Sequence, residues 1–182
     1  MASCVPMEGT DKRVRLVQLR PAVLWALSEG DLATASSRAG LPLSDFLASD
    51  ECSWLWRIRL EQIAADPASA DWVARAAVAE PGGFVVGHAG FHGPPDAGGM
   101  VEIGYTVEPR FRRQGYARAM VRTLLRWAAS DDRVRRVRAS ISPDNVGSLA
   151  TIDGLGFVHI GEQWDEEDGR ELLFERDMSR EA

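Results

Sequence analysis

A short basic segment, RFRRQGYA at residues 110–117, combines residue types that can bind a phosphate group. It lies between a predicted strand and a predicted helix. The first N–H groups of a helix have no intrahelical acceptor and lie at the positive end of the helix dipole, so anions bind there. Gly115 allows close approach of the backbone, and Arg112 and Arg113 add positive charge. The segment therefore predicts a phosphate-binding loop; the alternative is a helix start with solvated arginines.

Two common nucleotide-binding motifs are absent. The sequence contains no GxxxxGK[ST] P-loop, and no GxGxxG follows a predicted strand. The basic loop is also a local exception, because the formal net charge of the 182-residue chain is -6. An acidic chain argues against nucleic acid as the main partner and is compatible with a cationic or amine partner.

Composition predicts an ordinary globular protein. The hydrophobic fraction of 45% and the charged fraction of 26% are typical of one folded domain, which we assign to residues 1–182, with 1–12 a loose N-terminus. Cys4 and Cys52 form no CxxC pair and are expected to be reduced thiols. The first residues contain no signal-peptide core, and no apolar run reaches the ~18 residues of a membrane span. We therefore expect a cytosolic protein with no membrane partner.

The N-terminal part must supply one strand and several helices. Residues 13–19 alternate polar and apolar side chains and predict a strand, after which Pro21 begins a helix. Residues 21–49 are predicted as helical pieces broken by glycines, and 53–65 as a further helix ending before a proline. The predicted helix N-caps are Asp31, Ser44 and Ser53.

The C-terminal part predicts an antiparallel meander followed by alternating helices and strands. Predicted strands cover 70–79, 83–92, 100–108, 133–142, 157–164 and 170–177. A helix after the basic loop has one apolar stripe beginning at Ala117, and a short helix starts near Asn145. The order β-β-β-α-β-α-β-β predicts an α/β (α+β) fold with a mixed, mostly antiparallel sheet.

Two segments resemble the signatures of the GNAT acetyltransferase superfamily. The stretch VEIGYTVEPRFRRQGYARAMVRTLL resembles its acetyl-CoA motif, [RQ]-x-x-G-x-[GA], filled by Arg112, Gly115 and Ala117. The later NVGSLATIDGLGF resembles its second signature. The EIGY strand and the N-x-x-S spacing are similar to the RimJ/RimL branch of ribosomal-protein Nα-acetyltransferases. The resemblance covers residues 70–177, and the first 70 residues match only in outline.

The resemblance implies helices on both faces of the sheet, splayed fourth and fifth strands, and acetyl transfer from acetyl-CoA to a primary amine. The pantetheine arm would lie between 105–107 and 140–142, bonded to the backbone of Val107. The amides of 113–117 would hold the pyrophosphate. Arg118 belongs to a solvated helix face with Arg122 and Arg126, or else reaches a CoA phosphate. The implied cofactor-binding residues are Tyr105, Val107, Arg112, Arg113, Gln114, Gly115, Tyr116, Ala117, Arg118 and Asn145.

Acetyl transfer to an amine needs a base and an acid. Glu102, on the strand before the loop, is the candidate base or else an edge or surface carboxylate, and Glu108 is expected to be a solvated strand end. Ser148 is the candidate acid or hydrogen-bonding partner of the sulfur. Asn145 could also cap its helix. Many family members have a tyrosine acid at the position of Ile152, so the resemblance excludes that acid here.

The remaining chemistry-bearing residues have structural alternatives. The three histidines match no zinc spacing, so we predict no metal, and His88 or His92 is more readily explained by packing than by catalysis. Trp25, Trp54 and Trp56 are predicted to pack, or else to line an acceptor pocket. The turn 165–169 is a solvated turn, or else an acidic lip that attracts amines.

Three functions stay open. The first is an N-acetyltransferase acting on a protein N-terminus or a small molecule, including an aminoglycoside-like amine. The second is a CoA-binding sensor without catalysis, and the third is an interaction domain without cofactor. A homodimer is possible.

Overall fold

Alternating polar and apolar residues form the edge strand of a seven-stranded sheet. The computed structural model describes residues 12–166 and 169–178, so Cys4 and two residues of the 165–169 turn lie outside the described residues. The strands are β1 (Arg13–Gln18), β2 (Arg75–Glu80), β3 (Val85–Phe91), β4 (Met100–Val107), β5 (Arg136–Ile141), β6 (Val158–Asp165) and β7 (Gly169–Asp177). The helices are α1 (Pro21–Ser28), α2 (Leu32–Ala39), α3 (Asp50–Ala65), α4 (Tyr116–Ser130) and α5 (Val146–Ile152).

The sheet has the order β1-β2-β3-β4-β5-β7-β6. Its neighbouring strands are antiparallel except for β4 and β5, which are parallel. This arrangement confirms the predicted mixed, mostly antiparallel sheet. The crossover from β4 to β5 consists of the basic loop and α4, as a parallel connection requires.

Both faces of the sheet are covered by helices, because successive residues of a strand point to opposite faces. In β2, Ala77 and Ala79 belong to the core beneath α4, whereas Ala76 and Val78 belong to the core beneath α1, α2 and α3. The buried stripe of α4 follows the predicted helical spacing and packs on β1, β3 and β4. The sheet is therefore the wall between two hydrophobic cores.

The predicted helix caps are partly wrong. Asp31 does cap α2, accepting a hydrogen bond from the Thr34 N–H at 2.9 Å. Ser44 caps no helix, since 45–48 form turns. The next helix, α3, begins at Asp50, so Ser53 lies inside its first turn. Acidic residues at its start favour the earlier beginning through the helix dipole.

The strand predicted over 70–79 is too long at its beginning. Residues Pro67–Asp71 form a 3-10 helix, and the strand starts at Arg75. Ala74, just before it, has a φ of 45°, which interrupts extended backbone. Among the described residues, none of the helices is long and apolar enough to cross a membrane.

Candidate functional site

The parallel pairing of β4 with β5 is short. The ladder contains the pairs Met100–Arg136, Val101–Val137 and Glu102–Arg138, and it ends there. Beyond that point β4 continues along β3 as far as Val107, while β5 continues along β7. The two strands therefore separate, as predicted, with 103–107 facing 139–142 across a gap.

The backbone of β4 has polar groups directed into this gap. The Glu108 N–H donates to the Val86 carbonyl at 2.9 Å, and the His92 N–H donates to the Glu102 carbonyl at 2.8 Å. Because antiparallel partners alternate between hydrogen-bonded and non-hydrogen-bonded pairs, even-numbered residues of β4 face β3. The N–H and C=O groups of Tyr105 and Val107 consequently face the gap.

The basic loop closes one end of the gap. Gly115 is the N-cap residue of α4 and has a left-handed φ of 88°, which L side chains rarely adopt. No side chain caps α4, so its first amides have no intrahelical acceptor. Arg113 also has a positive φ, 60°. Left-handed residues at a helix start are typical of turns in which successive backbone N–H groups form an anion-binding concavity.

Side chains of the loop hold its shape. The Arg112 Nε donates to the Val107 carbonyl at 3.1 Å, and the Gln114 amide donates to the Arg110 carbonyl at 3.0 Å. Tyr116 is only 6% exposed, and Lys12 Nζ lies 5.1 Å from the centre of its ring. The loop is thus anchored to β4 and to the core.

A cavity of about 620 Å³ lies between the end of β4, the basic loop and α5. This volume falls within the range of ligand pockets. All the cofactor-binding residues predicted from the sequence line it except Gln114, whose side chain is directed to the loop backbone. The remaining lining residues are Thr106, Phe111, Gly147, Ser148, Ala150 and Thr151.

Arg118 joins the two helices that flank this cavity. Its Nη1 donates to the Thr151 carbonyl at 3.1 Å and to the Asp153 carbonyl at 2.7 Å, near the end of α5. The guanidinium therefore satisfies carbonyls that a helix end leaves without partners. This position explains Arg118 without a CoA phosphate.

The predicted residues Asn145 and Ser148 both belong to the start of α5. Asn145 is the N-cap residue, and its Oδ1 accepts a hydrogen bond from the Ser148 N–H at 3.0 Å. This cap leaves the Ser148 hydroxyl at the wall of the cavity. Ile152, at the other end of α5, is 3% exposed and belongs to the core.

The two predicted catalytic residues line a second cavity of about 250 Å³, beside the first. Glu102 comes to it from β4 and Ser148 from α5. The Glu102 side chain is 20% exposed, and its Oε1 lies 3.7 Å from Nδ1 of His92. The carboxylate of Glu102 and the hydroxyl of Ser148, the two candidate catalytic groups, therefore belong to residues that line the same cavity.

Two buried hydroxyls, those of Tyr105 and Ser140, lie on the diverging strands. Neither makes a hydrogen bond of ordinary geometry within the described part of the chain. Burial raises the pKa of the Tyr105 phenol, and the nearby hydroxyls of Ser148 and Thr151 oppose this shift. Unpaired buried polar atoms are uncommon in folded proteins, so they point to a bound group that would complete them.

A third cavity, of about 240 Å³, lies between α3 and the sheet. Trp54 and Trp56 line it, as the acceptor-pocket alternative predicted, whereas Trp25 does not and is 57% exposed on α1. Among the described residues, Tyr105 alone lines all three cavities. The three cavities therefore meet at Tyr105.

One of the two histidines that line this cavity, His88, is a packing residue. His88 lies edge-on to Trp56 with ring centres 5.1 Å apart, and it stacks with Phe46 at 6.5 Å. Burial, and to a smaller extent the charge of Arg59, lowers the pKa of His88 to about 4. In the described residues, no group of histidine, cysteine and acidic side chains could hold a metal ion.

One prediction about the site is wrong, and two groups of the site were not found from the sequence. Glu108 is not solvated: it is 7% exposed and pairs with Arg110 of the 3-10 turn that follows β4. Arg59 and the hydroxyl of Tyr105 were not assigned roles. Their spacing carried no signal, since both occupy ordinary positions in a helix and a strand.

Comparison with known proteins identifies the family. Residues 20–158, more than half of the chain, match the Acetyltransferase (GNAT) domain family. The chain therefore belongs to the GNAT acetyltransferases, as the two sequence signatures predicted.

One curated relative is an uncharacterized N-acetyltransferase, YjdG, of Bacillus subtilis. It is 42% identical over 74 residues, which make up 41% of this chain and 44% of that protein. The match thus spans less than half of the relative's length.

Solved structures share the fold. The ribosomal-protein-S5-alanine acetyltransferase of Vibrio fischeri is 16% identical, with a TM-score of 0.61 over 97% of this chain and 98% of that one. The ribosomal L7/L12 Nα-acetyltransferase RimL is 14% identical, with a TM-score of 0.62 over 93% and 96%. The microcin C7 self-immunity acetyltransferase MccE, solved with acetyl-CoA and AMP, is 13% identical, with a TM-score of 0.62 over 95% and 97%.

Proposed function

We propose that the protein is an N-acetyltransferase that moves an acetyl group from acetyl-CoA to a primary amine. The observation that carries this proposal is the separation of β4 from β5 directly beside an uncapped, left-handed helix start. Together these features offer a slot lined by backbone donors and an anion site at one end of it. Both are what a pantetheine arm linked to a pyrophosphate needs.

The residues present fit acetyl-CoA. The Val107 N–H faces the gap, where it can bond an amide of the pantetheine arm. The amides of 113–117 suit the pyrophosphate. Arg112 and Arg113 add charge at the cavity wall. When bound, acetyl-CoA supplies a thioester carbonyl activated for attack by an amine.

The chain's own residues then handle two protons. Glu102 accepts the proton that the amine loses as the new C–N bond forms. Ser148 or Tyr105 donates a hydrogen bond, and in the end a proton, to the sulfur released when the C–S bond breaks. Ser148 and Tyr105 both line the cofactor cavity and the Glu102 cavity, so either hydroxyl can serve. Positioning of the two reactants supplies much of the remaining acceleration.

The acceptor is a protein N-terminus or a small molecule. Proteins of similar fold include the two ribosomal-protein acetyltransferases, a spermidine N-acetyltransferase and an aminoglycoside acetyltransferase. Fold alone thus supports acetyl transfer and leaves the amine open. A CoA-binding module without catalysis is the second candidate, favoured by Ile152 at the position of the family's tyrosine acid.

The first experiment is calorimetric titration with acetyl-CoA of the wild type, Gly115→Glu and the control Gly40→Glu. Gly40 also has a left-handed φ, 61°, but lies at the end of α2, outside the three cavities described above. We expect micromolar binding that Gly115→Glu abolishes and Gly40→Glu keeps. Absence of binding by the wild type overturns the proposal. Binding without thiol release from any amine would favour the non-catalytic module.

A further inference from the structure

We propose that the amine acceptor also carries an anionic group, a carboxylate or a phosphate, which Arg59 binds in the cavity beside the acetyl-transfer site. This inference rests on the proposed acetyl transfer and specifies its substrate class. It starts from an arginine that lacks a counter-ion.

Arg59 comes from α3 and lines the cavity of about 240 Å³ together with Trp54, Trp56 and Tyr105. Within the described residues it makes no ion pair, since none of the salt bridges includes it. Its helix neighbour Arg57 differs, because Arg57 lies 3.8 Å from the Glu29 carboxylate. One arginine of α3 is therefore compensated and the other is not.

The Arg59 guanidinium is held in one orientation. Its Nη1 donates to Gln62 Oε1 at 2.8 Å and to the His92 carbonyl at 3.3 Å. Gln62 is fixed in turn, because its amide donates to the same carbonyl at 2.6 Å. Nε and Nη2 have no hydrogen-bond acceptor in the described part of the chain. These two groups form the side edge of the guanidinium, which matches a carboxylate or phosphate with two parallel hydrogen bonds.

The charge of the cavity is positive. Its lining contains Arg59 but no aspartate or glutamate. Of its two histidines, the buried His88 is neutral near pH 7, and His92 lies 3.7 Å from the Glu102 carboxylate, which lines the neighbouring cavity. Arg59 itself is partly desolvated, and burial lowers its pKa. A partly desolvated cation without a counter-ion is costly, and a bound anion offsets that cost. A polyamine or an aminoglycoside would instead add like charge, so this cavity disfavours such acceptors.

The anion site is connected to the place of reaction. His92 contacts Arg59 through its carbonyl oxygen and lies 3.7 Å from Glu102 through its ring. The Arg59 cavity and the Glu102 cavity share His92, Gly104 and Tyr105. An acceptor can therefore place its anion at Arg59 and its amine at Glu102 with a short spacer between them.

The test uses acceptor pairs that differ only in the anion, with acetyl-CoA and detection of released thiol. One pair is glycyl-aspartate amide and glycyl-asparagine amide; the other is glycyl-phosphoserine amide and glycyl-serine amide. Spermidine is the polycationic probe. We expect kcat/KM to be about tenfold or more higher for the anionic member of at least one pair. The pair that responds distinguishes a carboxylate from a phosphate.

Variants assign the preference to Arg59. Arg59→Gln should remove the difference within the pair, Arg59→Lys should restore part of it, and the control Arg57→Gln should keep it. Binding of the same pairs is followed by intrinsic tryptophan fluorescence with CoA bound, because two of the six tryptophans, Trp54 and Trp56, line the cavity. The anion site is thereby tested apart from turnover. Circular dichroism verifies that each variant is folded.

The outcomes separate the two proposals. Selective binding of an anionic member without thiol release sustains the anion site and overturns acetyl transfer. Thiol release with equal kcat/KM within both pairs sustains acetyl transfer and overturns the anion site. An Arg59→Gln variant that keeps the preference, or a preference for spermidine, also overturns the anion site. If no probe binds and none causes thiol release, both proposals are overturned.

Discussion

The hydroxyls of Tyr105 and Ser140 occupy the two strands that separate, one on β4 and the other on β5. Both oxygen atoms are buried, and in the described part of the chain neither makes a hydrogen bond of ordinary geometry, although the hydroxyls of Ser148 and Thr151 lie near that of Tyr105. Their strands no longer pair at this level, because the ladder ends at Glu102 and Arg138. The site therefore contains hydroxyls whose hydrogen-bonding capacity the fold does not use.

Tyr105→Phe should lower kcat while leaving the fold as stable as the wild type, or more stable. The Tyr105 hydroxyl makes no hydrogen bond of ordinary geometry, and only its weaker contacts with Ser148 and Thr151 are lost. Its removal is therefore close to neutral or favourable by up to about 1 kcal/mol. A proton donor contributes about 10²-fold or more to rate, so kcat should fall by that order if Tyr105 serves as the acid. Denaturant unfolding and steady-state kinetics measure the two effects.

Ser140→Ala is the matched variant for Tyr105→Phe, since it also removes an unpaired hydroxyl, and it should keep kcat. If Tyr105→Phe keeps wild-type kcat and Ser148→Ala loses it, Ser148 is the acid. If both keep it, neither hydroxyl protonates the sulfur.

Gly115→Ala and Gly40→Ala should destabilise the protein by similar amounts, about 1 to 2 kcal/mol, because both backbones are left-handed. A methyl group meets no close atom at either position; the nearest to Gly115 is Lys12 Cγ at 3.5 Å. The two variants should differ in acetyl-CoA affinity, which only Gly115→Ala weakens. Thermal unfolding and calorimetry test this, and equal affinity of the two variants would speak against close backbone approach at Gly115.

Glu102→Gln should lower kcat by about 10²-fold without changing acetyl-CoA affinity, because the carboxylate takes a proton and does not hold the cofactor. The control Glu162→Gln removes an exposed carboxylate paired with Arg170 on the β6–β7 hairpin and should leave kcat unchanged. Single-turnover kinetics give the chemical rate directly. A Glu102→Gln rate equal to that of the wild type would mean that Glu102 is not the base.

His88 should make folding pH-dependent. Its pKa is about 4 in the folded protein, lowered mainly by burial, against an ordinary value of 6.5. Between these values the unfolded chain binds the proton and the folded chain does not, so the free energy of unfolding falls as pH decreases from 6.5 to 4. The loss is about 2 kcal/mol between about pH 7 and about pH 5.

Urea unfolding at both pH values measures this loss, and His88→Phe should reduce it by most of that amount. The aromatic replacement keeps packing against Phe46 and Trp56. An unchanged pH dependence in the variant would show that other groups cause it.

The sheet, the crossover helix and the cofactor loop could be predicted because each has a local pattern. The alternation in β5 and the spacing in α4 report burial directly, and the Arg112–Gly115–Ala117 spacing matches a signature. Helix starts were less predictable: Ser53 is a good N-cap residue, yet Ser49 precedes α3. Several residues compete for a cap, and packing of the whole helix decides among them.

The acceptor side could not be predicted for a different reason. Arg59, Gln62 and His92 come together from α3 and from the residue after β3, and their contact depends on how the helix crosses the sheet. No sequence spacing reports such a distance. Likewise, a sequence does not show that the Tyr105 hydroxyl lacks a hydrogen bond of ordinary geometry, because this depends on its neighbours in the fold.

The three-pair ladder between β4 and β5 also has a mechanical meaning. It is the seam at which one half of the sheet, β1 to β4, is attached to the other half, β5 to β7. An extended ligand in the gap would contact both β4 and β5 and so connect the two halves of the sheet. Binding of such a ligand should therefore slow amide hydrogen exchange in both halves of the sheet, and not only in the residues that touch the ligand.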